Sequence, residues 1–126
     1  HPTEIKATLQ GFRAKYPESR IRVVFQPHLY SRTKLLLNDF AQSFGDADEV
    51  IVAPIYASRE ANDPTITAEI LSQRVVDEQK SPGVRVWAML DFLAIETYLR
   101  ETATKGDIVI TMGAGDVFKI GEALLT

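Results

Sequence analysis

Apolar residues along this chain follow two habits. In four short runs they are nearly continuous: Ile21 to Gln26 (IRVVFQ), Val50 to Ala53 (VIVA), Val84 to Leu90 (VRVWAML) and Asp107 to Met112 (DIVITM). Runs of this length without polar alternation predict strands covered on both faces, as in a parallel sheet. Elsewhere the apolar positions recur three or four residues apart, which is one helix turn. Ile5, Leu9, Phe12 and Tyr16 make such a stripe, with Pro2 in the first turn and Pro17 as the stop. Leu36, Phe40 and Phe44 make a second, opened by Ser31 as the N-cap. Ile66, Ile70 and Leu71 begin a third near Thr67 that ends before Ser81-Pro82-Gly83. Phe92, Ile95 and Leu99 follow a cap at Asp91, and Val117, Ile120 and Leu124 follow one at Asp116.

The predicted order is therefore α-β-α-β-α-β-α-β-α. Strict alternation calls for a mainly parallel, four-stranded sheet with right-handed crossovers, in a three-layer α/β/α sandwich. A length of 126 residues suits one domain. A leading helix with no strand before it is unusual in this architecture. It predicts, together with a first residue that is not Met, that strands precede His1 in a longer chain. The longest irregular stretch, Pro54 to Thr65 (PIYASREANDPT), is long for a strand-to-helix connection, and long connections in such folds often carry function.

Composition narrows the function classes. A net charge of −3 with Lys and Arg scattered rather than clustered gives no footprint for nucleic acid or for an anionic membrane. The absence of cysteine removes disulfides, thiolate metal sites and thiol catalysis, and fits a cytoplasmic setting. No apolar run approaches the roughly 20 residues that span a bilayer. No phosphate-cradling G-x-x-x-x-G-K-[ST] loop, G-x-S-x-G elbow or H-E-x-x-H pair occurs, and no metal-binding cluster of His and carboxylate is visible.

In an open α/β sheet, ligands bind beyond the carboxyl ends of the strands, where strand order reverses. The segment FQPHLYSRT, 25 to 33, lies at such an end. Arg32, in the first turn of a helix after a strand, is placed to hold a carboxylate or phosphate through two parallel hydrogen bonds; an exposed, solvated arginine is the plain alternative. His28 either donates to an anion or bonds a loop carbonyl. In GAGD, 113 to 116, Gly113 and Gly115 allow close backbone approach and Asp116 offers a cap, so a tight turn explains it on its own.

Three stretches carry a resemblance: HPTEI at 1 to 5, FQPHLYSRT at 25 to 33 and GDIVITMGAGD at 106 to 116. Together they resemble the C-terminal domain of the Mur ligases, in the branch that joins L-alanine to UDP-N-acetylmuramate. The resemblance implies a Rossmann-like domain whose family sheet has six strands, the first two missing here, and a strand order of 4-1-2-3 in this chain's own count. It implies a three-domain enzyme using ATP and Mg2+, bound mainly by a central domain, with this domain closing over the site against its N-terminal and central partners. The carboxylate of the sugar is activated as an acyl phosphate and the amine of L-alanine attacks it. Position by position, Arg32 matches the arginine that binds the amino-acid carboxylate, and His28 matches the histidine beside it. His1 matches the second histidine of the family's histidine pair. Leu29 stands where many members have a further arginine. Tyr56 and Arg59, in the long loop, either touch substrate or serve as loop packing and a solvated charge. The piece alone is expected to be inactive, and the edge strand 107 to 112 to invite pairing with a second copy. A murein tripeptide recycling ligase domain and a stand-alone α/β binding module are the alternatives.

Overall fold

The computed structural model describes residues 1–79 and 83–126. Ten elements follow one another: α1 (Pro2–Lys15), β1 (Ile21–Gln26), α2 (Tyr30–Leu35), α3 (Leu37–Ala41), β2 (Glu49–Val52), α4 (Ala68–Asp77), β3 (Arg85–Ala88), α5 (Phe92–Thr102), β4 (Ile108–Gly113) and α6 (Phe118–Leu124). The four strands are all parallel in the order β3-β2-β1-β4, the expected 4-1-2-3. Each predicted strand is present: β1 has the predicted ends, and the ends of the other three move by one or two residues.

Burial explains the unbroken apolar runs. β1 and β2 occupy the middle of the sheet and every residue in them is buried. Side chains alternate across the sheet, so Ile21, Val23 and Phe25 pack with Ile5, Leu9, Phe40 and Leu71 beneath α1, α3 and α4. Val24 and Ile51 face the other way, against Ile95 and Leu99 of α5 and Ile120 of α6. The edge strands β3 and β4 are only partly covered, as their outer positions require.

Four polar residues stand at or near helix starts: Thr67, Asp91, Ser31 and Asp116. Asp91 caps α5 as expected, accepting the Leu93 amide, and Thr67, near which the third helix was expected to start, caps α4 by accepting the Ile70 amide. Ser31 does not cap: the helix begins one residue earlier, at Tyr30, and the predicted single helix breaks at Leu36 (φ −102°, ψ 18°) into α2 and α3. The break still lets Phe40 and Phe44 reach Phe25, each ring centre 5.4 Å from it. Asp116 does not cap either. Its carbonyl accepts from the Lys119 amide at 2.9 Å while its carboxylate stays exposed, 3.8 Å from the Lys119 ammonium. The expected stop at Ser81-Pro82 lies outside the described residues.

The end of the sheet away from the strand exits holds a buried ionic network. Arg22, on the α5 face of β1, donates to Glu49 at 2.6 Å and to the Thr102 hydroxyl at 2.6 Å. The Tyr98 hydroxyl donates to the other Glu49 oxygen at 2.6 Å, and Arg20 forks onto Asp107 at 2.5 and 3.1 Å. That fork, with amide and hydroxyl donation from Thr104, holds the Asp107 carboxyl at about 2 against an ordinary 3.8. A folded-state value below the unfolded one gives stability that is complete above the unfolded value. It drains as the pH falls through the folded one. Acid unfolding is therefore expected to steepen between about pH 4 and pH 2. In Asp107→Asn, denaturant midpoints measured across that window should fall less with pH; an unchanged slope would remove Asp107 from the account.

Candidate cleft at the strand exits

β1 leaves the sheet at Gln26 and buried Pro27, but its pairing with the chain after β2 continues. The Leu29 amide donates to the Tyr56 carbonyl and the Tyr56 amide to the Pro27 carbonyl, both at 2.8 Å. The rings of His28 and Tyr56 stack, centres 5.8 Å apart and planes 24° from parallel. Leu29 then turns the chain through φ 66°, ψ 137°, a conformation that side-chain-bearing residues rarely adopt. Its carbonyl accepts both the amide and the hydroxyl of Thr33, at 3.1 and 2.7 Å, which closes the first turn of α2. This turn carries Arg32.

The neighbouring exit is GAGD. Gly113 pairs with Gln26, and a Cβ there would lie 2.7 Å from the Gln26 carbonyl oxygen. A Cβ on Gly115 would meet the Gln26 Oε1 at 2.5 Å and the Tyr56 ring at 2.8 Å. Both glycines are thus explained by backbone approach to β1 and to the loop after β2. Gln26, buried on the α6 face, donates from its amide to the Pro54 carbonyl at 3.2 Å and joins the two exits from below.

Between them opens a cleft of about 420 Å3 on the α1 side of the sheet. His1 and Glu4 line one wall, His28 and Arg32 another, and Gly113 and Ala114 the floor edge. His1 Nδ1 accepts the Thr3 amide at 3.2 Å, so this histidine caps α1 at the cleft rim. Arg32 is exposed. Among the described residues, Arg13, Arg20, Arg22, Arg74 and Arg100 each bond a carboxylate, an amide oxygen or a carbonyl, and Arg85 lies over the Trp87 ring. The guanidiniums of Arg32 and Arg59 have no such partner among the described residues. Of these two, Arg32 lines the cleft and Arg59 does not. A larger hollow of about 610 Å3 lies at the other end of the sheet, around Asp46, Asp48 and Val84, where Arg13 is already paired with Asp48 at 2.6 Å.

The predicted residues thus divide. His1, His28, Arg32 and Gly113 come together around one cleft. Tyr56 and Gly115 stand behind it as packing, and Arg59 and Asp116 face solvent. Two residues escaped the sequence reading. Gln26 looked like the end of a strand, and Glu60, which accepts the Ser31 amide at 3.2 Å and the Ser31 hydroxyl, sits 29 positions from its partner, where no periodicity could point to it.

The class defined here is an open parallel α/β domain with an arginine, unpaired among the described residues, at the carboxyl-end cleft where ligands of such sheets bind. The family model for the Mur ligase glutamate ligase domain matches residues 1–115, and the chain belongs to the Mur ligase family. It is 48% identical over 126 residues to a UDP-N-acetylmuramate–L-alanine ligase of Desulfitobacterium hafniense, covering 99% of this chain and 27% of that protein. Over 125 residues it is 50% identical to the ligase of the same name from Lachnospira eligens, covering 99% and 26%. The chain thus spans about a quarter of the length of these curated relatives. The fold is shared with a UDP-N-acetylmuramate–alanine ligase of Thermotoga maritima (TM-score 0.74, 21% identity, 99% of this chain and 24% of that one). It is shared equally with a murein peptide ligase of Psychrobacter arcticus (TM-score 0.76, 20% identity, 99% and 25%).

Proposed function

We propose that this chain is the amino-acid-binding, C-terminal domain of a cytoplasmic, ATP-dependent ligase that joins L-alanine to UDP-N-acetylmuramate. The observation that carries the reading is the Arg32 guanidinium, unpaired among the described residues on the wall of the strand-exit cleft. A carboxylate offers it two parallel charge-assisted hydrogen bonds. With the carboxylate held there, the amine of the amino acid is left free to face an acyl donor presented by the rest of the enzyme. His28, braced by Tyr56, and His1, at the cleft rim, form the polar walls on either side. The chain's contribution is positioning and the exclusion of water.

The described residues gather no group of three His, Asp or Glu that could hold a metal ion. In this reading ATP and Mg2+ are bound mainly by the central domain of the full ligase, and no step on this chain passes through them. The names of the relatives favour L-alanine over a murein peptide, whereas the fold serves both kinds of ligase equally. Phosphate release by the full ligase, assayed with UDP-N-acetylmuramate, ATP and each L-amino acid in turn, tests the reading. Release is expected with L-alanine far above the others. Release driven equally by murein tripeptide would assign the recycling reaction instead.

A further inference from the structure

The loop from Pro54 to Thr65 is long, and nothing in it lines the cleft, yet it is tied to the Arg32 segment at three levels. The Tyr56 backbone bonds Pro27 and Leu29. The Glu60 carboxylate accepts the amide and the hydroxyl of Ser31, the residue immediately before Arg32. Two residues after Arg32, the Lys34 ammonium donates to the Thr65 hydroxyl at 2.9 Å and lies 3.8 Å from Asp63. α2 has only six residues, too few to hold a helical turn unaided, and Leu29, which precedes it, supplies no side-chain cap. The cap comes instead from across the loop.

We infer that Glu60 is a positioning residue for amino-acid binding: by capping α2 at Ser31 it fixes the turn from which Arg32 reaches the cleft. The inference rests on the proposed role of Arg32. A direct contact between Glu60 and substrate is disfavoured by chemistry, because a carboxylate repels the carboxylate that Arg32 would hold, and by place, because Glu60 is not on the cleft wall. The Ser31 hydroxyl, then the Ser31 and Tyr30 amides and the charge of His28, lower the Glu60 pKa from its ordinary value, so it is anionic in neutral solution. Losing this tether leaves the first turn of α2 closed only through Leu29 and Thr33, and Arg32 samples more positions than the one that meets a ligand.

In the full ligase, Glu60→Ala is expected to raise the KM for L-alanine about tenfold, the scale of one lost charge-assisted hydrogen bond. The kcat at saturating alanine and the KM for UDP-N-acetylmuramate should stay within about twofold. Glu60→Gln, whose amide oxygen still accepts from Ser31, should recover most of the loss. The combination Glu60→Ala with Arg32→Ala should be no worse than Arg32→Ala alone, since Glu60 acts through Arg32. In the 126-residue chain itself, the Ser31 amide should exchange its hydrogen faster in Glu60→Ala while the β1 amides do not. If Arg32→Ala raises the alanine KM and Glu60→Ala does not, the Glu60 inference fails and the reading of the cleft stands. If Arg32→Ala has no effect, the reading itself fails. Losses that multiply in the double variant, or a fall in kcat and both affinities together with the melting temperature, would also overturn the positioning role.

Discussion

Arg32→Ala in the full ligase should raise the KM for L-alanine about 100-fold, with UDP-N-acetylmuramate binding nearly unchanged. The size follows from two charge-assisted hydrogen bonds of about 1.5 kcal/mol each, at about 1.4 kcal/mol per factor of ten. Folding should barely notice the change, because the Arg32 side chain is exposed and its guanidinium bonds nothing among the described residues. Arg32→Lys keeps the charge but not the planar fork, so it should fall between wild type and alanine. Steady-state kinetics with alanine and the nucleotide sugar varied separately would decide. An unchanged alanine KM would refute the assignment.

The largest effect on stability is expected at the opposite end of the sheet. Arg22→Met should destabilise the fold by about 3–5 kcal/mol, the usual penalty for removing one partner from a buried ion pair. Glu49 would keep the Tyr98 hydroxyl but lose the guanidinium that neutralises it, in a site where its side chain is only 4% exposed. Asp107 would keep Arg20, so the loss centres on Glu49. Thermal melting should fall by more than about 10 °C for a domain of this size. Adding Glu49→Leu should return most of the loss, because two apolar side chains pack where a lone charge cannot. If Arg22→Met melts like the wild type, the network contributes no net stability. The two ends of the sheet are expected to be separable: Arg22→Met should leave alanine KM alone below its melting point, and Arg32→Ala should leave the melting point alone.

Gly113 and Gly115 show how far a sequence motif can be read. GAGD reads as a tight turn, whereas Gly113 ends β4 and the chain bends at Ala114 and Gly115 before turning at Asp116 into α6. The reason for both glycines became visible only when Gln26 and Tyr56 were found pressed against them. Asp116 and Ser31 are the converse. Each is a good capping residue in a plausible place, but Ser31 bonds Glu60 from across the loop, and the Asp116 carboxylate stays exposed beside Lys119. Capping preference is a local tendency worth about 1 kcal/mol, and a tertiary partner such as Glu60 can outbid it.

The sequence pattern by itself determined the four strands, their parallel alignment and the end of the sheet where Arg32 would emerge, while the order 4-1-2-3 was implied by the family resemblance. Continuous apolar runs and helical stripes are local signals, and short crossovers leave few ways to connect them. Only the tertiary structure decided which polar residues meet at the cleft, that Arg59 faces solvent while Arg32 lines the wall, and that Glu60 caps the helix carrying it. Those outcomes depend on contacts between residues some thirty to ninety positions apart, as Ser31 with Glu60 and Gln26 with Gly113 illustrate. Side-chain periodicity records which face is buried; it carries no record of which loop crosses which.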